Sequence, residues 1–253
     1  MILHLFKKKN DFILNPEIPP GVRIYAVGDI HGRDDLLQTM HKKILKDARA
    51  FQDIEKKIIV YLGDYIDRGL ESKEVLDRLI NSPLDGFQSV FLKGNHEDIF
   101  LKFLQNSTVG PAWFKIGGDA FVYSYRISVD GHPSATEKYR TIQEKLNSCL
   151  PASHLIFLSQ LQNSFEMGDY FFVHAGILPG VPLNEQRTKH LFWIRDDFTA
   201  VKTSHEKIIV HGHVIRDKPE ICKNRIGIDT GAFCSNILTC LVLEGETRRF
   251  LQT

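Results

Sequence analysis

Three times in its first half the chain repeats one pattern: an apolar run breaks off at a glycine, passes through a polar loop, and resumes with helical spacing. Arg23-Ile24-Tyr25-Ala26-Val27 ends at Gly28, Ile58 to Leu62 ends at Gly63, and Val90-Phe91-Leu92 is followed by a loop at Gly94. Behind these loops come Leu37, Met40, Ile44 and Phe51, then Val75, Leu76, Leu79 and Ile80, then Ile99, Phe100, Phe103 and Leu104. Each set marks one face of a helix. Apolar residues at successive positions leave a strand no wet face, so these strands are covered on both sides. Strands that return through a helix run parallel, which predicts an α/β fold. Asp34 or Asp35 is placed to cap the first helix.

The second half reads differently. Tyr170 to Val173, Lys207 to Val210, Arg225 to Ile228, Ile237 to Leu243 and Arg249 to Leu251 are strand-like, with fewer helices between them. They suggest a second, more antiparallel sheet. From about residue 98 to 167 a helical pattern, interrupted near Asp130 to Ser134, predicts a cap beside the site. The 253 residues are read as one catalytic domain, residues 1–253, with this cap inside it.

Apolar residues make up 43% and charged residues 25%, which excludes a disordered chain. A formal net charge of +1 gives no reason to expect nucleic acid or an anionic membrane as partner. No apolar run is long enough to span a bilayer. The basic run Lys7 to Lys9 follows a short apolar patch, the reverse of a signal peptide, and is read as a solvated tail of a cytoplasmic protein. Cys149, Cys222, Cys234 and Cys240 lack paired spacing and are expected to be buried thiols.

Chemistry collects in the loops. Asp29 and His31 lie in Gly28-Asp29-Ile30-His31-Gly32, Asp64 and Asp67 in Gly63-Asp64-Tyr65-Ile66-Asp67-Arg68-Gly69, and Asn95 and His96 in Gly94-Asn95-His96-Glu97. His174-Ala175-Gly176 and His211-Gly212-His213 add imidazoles. Carboxylate, imidazole and amide oxygen are ligands for hard or borderline metals. Ligands of open α/β sheets gather outside the carboxyl ends of strands, so five loops far apart in sequence are expected to converge on one crevice. The remaining histidines, His4, His41, His132, His154, His190 and His205, stand in no motif and are read as surface or core residues.

Together these motifs resemble the signature of the calcineurin-like metallophosphoesterases, and within them the serine/threonine phosphoprotein phosphatases. The segment Ile226-Gly227-Ile228-Asp229-Thr230-Gly231-Ala232 is similar to the bacterial and bacteriophage-lambda branch. The resemblance implies a sandwich of two mixed β-sheets flanked by helices. It implies two divalent metal ions, first of all manganese, with iron, zinc or cobalt as alternatives. Asp29, His31 and Asp64 would hold one ion; Asp64, Asn95, His174 and His213 would hold the other, Asp64 bridging the two. His213 is preferred to His211 because it follows a small residue, as the ligand does in the family. A water bridging the metals would attack phosphorus directly. Arg68, Arg195 and Asn95 resemble the phosphate-binding residues, and His96 the general acid, oriented by Asp67.

The implied activity is hydrolysis of phosphoserine and phosphothreonine in protein substrates. The alternative is a symmetrical diadenosine tetraphosphate hydrolase, a group that tends to lose the second aspartate of the Asp64 loop. A catalytically silent phosphate-binding scaffold is a third reading, opposed by the completeness of the ligand set. Trp113, Gly117-Gly118-Asp119 and Phe121 are candidate groove residues, with simple packing as the plain reading.

Overall fold

The computed structural model describes residues 12–50, 54–131 and 133–253. Lys7 to Lys9, His4, Phe51 and His132 lie outside the described residues. Three parallel strands, β1 (Val22–Val27), β2 (Lys56–Tyr61) and β3 (Gln88–Phe91), alternate with helices α1 (Asp34–Arg49), α2 (Ser72–Asn81) and α3 (Asn95–Gln105). Four helices then follow, α4 (Gly110–Lys115), α5 (Gly118–Ser124), α6 (Ala135–Cys149) and α7 (Ala152–Ser159). Strands β4 (Ser164–Met167) and β5 (Tyr170–Val173), helix α8 (Thr188–Trp193), and strands β6 (Ile208–His211), β7 (Glu220–Ile221), β8 (Arg225–Gly227), β9 (Thr239–Glu244) and β10 (Thr247–Gln252) complete the chain.

The strands form two mixed five-stranded sheets, ordered β10-β9-β1-β2-β3 and β4-β5-β6-β8-β7. Alternation along each strand builds the layers. Ile24 and Ala26, Ile58 and Val60, and Leu241 and Leu243 point between the sheets, where they meet Tyr170, Phe172, Val210 and Ile226. Tyr25, Val27, Ile59, Tyr61 and Val242 point the other way, into the core built with the helices. Phe171, Val173 and Ile209 pack outward against Leu191, Phe192 and Phe198. Both faces of the central strands are therefore dry, as their unbroken apolar runs require.

The structure corrects several expectations. The second sheet is not mainly antiparallel: β5, β6 and β8 are parallel at its centre, and only β4 and β7 run against them. Strands β9 and β10 leave it and extend the first sheet, β9 pairing antiparallel with β1. The stretch ending at residue 167 closes with β4, a half-exposed edge strand joined to β5 through Gly168-Asp169, with Gly168 at φ 55°. Neither Asp34 nor Asp35 caps α1: Arg33 is the cap residue, and the two carboxylates pair with Arg78 and Arg33. All four cysteines are free, but only Cys240 is buried; Cys149 and Cys234 are exposed and Cys222 is half-buried. Their apolar neighbours in sequence point elsewhere, because Cys149 ends a surface helix and Cys222 follows an edge strand. Among the described residues no helix is long and apolar enough to cross a membrane.

Candidate metal centre

The loops after β1, β2, β3, β5 and β6 meet at one edge of the two sheets, and their predicted side chains are buried there except for the half-buried Arg68. His31, Asp64 and His96 offer ligand atoms that all lie within 4.8 Å of one another, and Asp64, His174 and His213 do the same. Asp64 belongs to both groups. Its Oδ2 stands 3.5 Å from His31 Nε2, 3.3 Å from His174 Nε2 and 3.8 Å from His96 Nε2.

Two of the imidazoles are oriented from behind by backbone carbonyls. His31 Nδ1 is bound to the Ile66 carbonyl at 2.9 Å and His174 Nδ1 to the Leu62 carbonyl at 3.0 Å, which turns both Nε2 atoms inward. Such backing fixes the ring and the tautomer of a metal-ligating histidine. His174 Nε2 also approaches Asn95 Oδ1 at 3.0 Å and His213 Nδ1 at 3.2 Å. Asp29 Oδ2 accepts the His213 backbone N–H at 3.0 Å. Asp29 Oδ1, His31 Nε2, His96 Nε2 and His213 Nε2 are buried atoms with no hydrogen-bond partner. Orphaned buried atoms of this chemistry fit divalent cations, although Asp29, joined to the site through the His213 N–H, falls in neither of the two close groups. His211 lies apart: Nδ1 turns to the Gly212 carbonyl, and the ring packs against Phe198 and Gly227.

Close approach explains two of the glycines. A Cβ on Gly94 would fall 2.0 Å from Asp64 Oδ1, and one on Gly212 would fall 2.0 Å from Asp29 Oδ1. Backbone strain gathers at the same place. Of seven non-glycine residues with positive φ among the described ones, five are His31, Asp64, Asp67, Arg68 and His213. Such conformations persist where surrounding structure enforces them, and they cluster at functional sites.

Much of that enforcement comes from Glu97, which the sequence reading left without a role. Its Oε2 accepts the N–H groups of Gly94 and Asp64, both at 2.9 Å, and its Oε1 accepts that of Tyr65 at 2.8 Å. One buried carboxylate thus ties the β2 and β3 loops together. It reaches back from the third position of α3 to the N–H of the cap residue Gly94, which is half of a capping box; glycine lacks the hydroxyl that makes the other half and the sequence signal. Trp113, which the plain reading left as packing, is fully buried and donates its indole N–H to Asp67 Oδ2 at 2.9 Å. The same oxygen meets His96 Nδ1 at 2.7 Å. Gly118 leaves room for that indole, and Gly117 presses on Arg68, taking its backbone N–H at 3.0 Å.

Burial works against charge throughout, and proximity decides the sign. Burial would raise the Asp64 carboxyl, but His174, His96 and His31 outweigh it and hold Asp64 well below the ordinary range. Burial would lower His96, yet Asp64 and Asp67 raise it. His174 is pushed up to about 9 against its burial by Asp64 and Asp29. Asp29 is raised by burial and by Asp229, a buried carboxylate at the end of β8 that the motif reading gave no role. Burial and the facing His174 depress His213, and Arg195, exposed on the loop after α8, adds to that effect.

A family model described as calcineurin-like phosphoesterase matches residues 22–231. The chain is 32% identical over 218 residues to the serine/threonine-protein phosphatase 2 of Escherichia coli K12, covering 83% of this chain and 87% of that one. It is 25% identical over 235 residues to an asymmetrical bis(5'-nucleosyl)-tetraphosphatase of Oceanobacillus iheyensis, covering 86% and 87%. Among solved structures, a putative diadenosine tetraphosphatase shares the fold with a TM-score of 0.56 at 20% identity, covering 95% of both chains.

Proposed function

The chain belongs to the calcineurin-like phosphoesterase family, and from that membership we propose that it is a serine/threonine protein phosphatase acting on phosphorylated proteins in the cytoplasm. The observation that carries the proposal is the Asp67 to His96 contact of 2.7 Å, with Arg68 adjacent on the same loop. A protein monoester needs a proton for a poor alkoxide leaving group, and this pair is built to hold one.

In this reading Asp29, His31 and Asp64 would hold one divalent cation and Asp64, Asn95, His174 and His213 a second, manganese being the first choice. Two cations there would supply Lewis acidity to the phosphoryl group and a more acidic water as nucleophile. Arg68 and Arg195, with Asn95, hold phosphate oxygens, for which guanidinium forks are suited. His96 delivers its proton to the departing seryl or threonyl oxygen. Asp67 fixes the ring through Nδ1 and stabilises the imidazolium, while the Trp113 N–H keeps Asp67 in place. Cations held by Asp64 would offset that residue's pull on His96, whereas the Asp67 contact lies on the other ring nitrogen.

The 32% identity to a serine/threonine-protein phosphatase supports the substrate class. Hydrolysis of a dinucleoside polyphosphate is the second reading, favoured by the Oceanobacillus relative. Purified protein with added manganese, assayed on phosphoserine, phosphothreonine and phosphotyrosine peptides and on diadenosine tetraphosphate, separates them. Highest kcat/KM on the phosphoserine or phosphothreonine peptide is expected. Preference for the dinucleotide would overturn the proposal.

A further inference from the structure

The segment after β8, Asp229-Thr230-Gly231-Ala232, holds no assigned metal ligand, yet the residue that follows it, Phe233, brings an aromatic ring to the site. Gly231 at φ 68° and Asn236 at φ 59° bracket the short helix Ala232–Ser235. The turn is pinned on every side. Asp229 Oδ1 accepts the Gly231 N–H at 2.9 Å, Ser235 Oγ donates to the Thr230 carbonyl at 2.7 Å, and Arg33 donates to the Ala232 carbonyl at 2.9 Å and to Asn236 Oδ1 at 2.7 Å. Arg33 is itself gripped by both oxygens of Asp35.

On this platform the Phe233 ring lies 4.7 Å from the guanidinium carbon of Arg68 and meets the His31 ring edge-on at 5.5 Å. Arg68 is held from the opposite element as well. Its Nε approaches the Ile116 carbonyl at 3.4 Å, its backbone N–H bonds to the Gly117 carbonyl at 3.0 Å, and a Cβ on Gly117 would fall 2.8 Å from Arg68 Cγ. We propose that Phe233 is a positioning residue for phosphate binding, acting through Arg68. An aromatic face attracts the cation without consuming its in-plane N–H donors, so the fork stays free for phosphate oxygens. A long side chain fixed beforehand also loses less freedom when the anion binds. The inference rests on the reading of Arg68 as a phosphate-binding residue.

The test measures inhibition by inorganic phosphate, with KM and kcat on a phosphoserine peptide, for the full chain loaded with manganese. Phe233→Leu keeps apolar bulk but removes the π face, and Phe233→Tyr keeps the face. Phe233→Leu should weaken phosphate binding roughly three- to tenfold, raise KM with a smaller change in kcat, and leave metal content unchanged. Phe233→Tyr should behave as the parent, and Phe233→Leu should add nothing once Arg68→Ala is present. The proposal is overturned if Phe233→Leu matches the parent, if its loss persists in the Arg68→Ala background, or if it acts by lowering metal content through His31. Should Arg68→Ala alone leave phosphate binding unchanged, the phosphate-binding reading of Arg68 falls and takes the inference with it.

Discussion

Exchanging Glu97 for glutamine alters one atom of the site's scaffold and keeps its shape. In the parent, Oε2 serves the Gly94 and Asp64 N–H groups while Oε1 serves Tyr65. A glutamine oxygen can keep only one of these sets. The better orientation keeps Gly94 and Asp64 and turns the amide NH2 against the Tyr65 N–H, a donor facing a donor. A buried N–H left unsatisfied costs about 1 to 3 kcal/mol, and two charge-assisted bonds reduced to neutral ones lose about 1 kcal/mol each. Burial and Asp64 push the Glu97 carboxyl up to about 7, so ionising it already costs the fold and the neutral amide is spared that cost; the expected net destabilisation is about 1 to 3 kcal/mol. Urea unfolding in the presence of chelator measures it without metal linkage. Because the same bonds hold Asp64 at its positive φ of 50°, metal affinity should also fall, by about 10- to 100-fold. A Glu97→Gln protein within about 0.5 kcal/mol of the parent, with unchanged metal affinity, would refute the assignment of Glu97 as the tie between the two loops.

Other perturbations probe separate parts of the account. Gly94→Ala and Gly212→Ala each place a methyl 2.0 Å from a carboxylate oxygen, so each should cost at least about tenfold in metal affinity, read by titration, with an unchanged far-ultraviolet spectrum. His41, buried with Nε2 2.8 Å from the Tyr61 hydroxyl, is lowered to about 4 by burial and then by Arg78. Below about pH 6.5 the unfolded chain takes up a proton there that the folded chain does not, so stability falls with pH until the folded group itself titrates near 4. Urea midpoints from pH 7 to 5 should show about 2 kcal/mol more loss for the parent than for His41→Gln.

The parts legible in the sequence share a physical cause. β1 and β2 are dry on both faces along most of their length, so their apolar runs stand out; β3, at the sheet edge, keeps Val90 buried, and helical spacing between the three fixes parallel order. The site loops follow strands directly, so their ligand-type residues could be collected without knowing any distance. β9 was harder, because nothing local tells a strand late in the chain that its antiparallel partner is β1. β4 is short and half-exposed and lacks an apolar run, although Gly168-Asp169 between it and β5 is a turn signal. Trp113 and Phe233 take their roles from Asp67 and Arg68, residues remote in sequence, and their own neighbours carry no trace of that pairing.

Asp64 as the carboxylate shared by two cation positions, with the nearby His96, its Nε2 3.8 Å from Asp64 Oδ2, acting as proton donor and not as ligand, is the centre of the account. Elemental analysis of manganese-loaded parent, Asp64→Asn and His96→Asn, with kcat on a phosphoserine peptide, tests it directly. The parent and His96→Asn should each hold two ions per chain, with kcat lowered about 10²- to 10⁴-fold in His96→Asn, whereas Asp64→Asn should lose both metal and activity. A single ion per chain in the parent, or equal metal loss in the two variants, would contradict it.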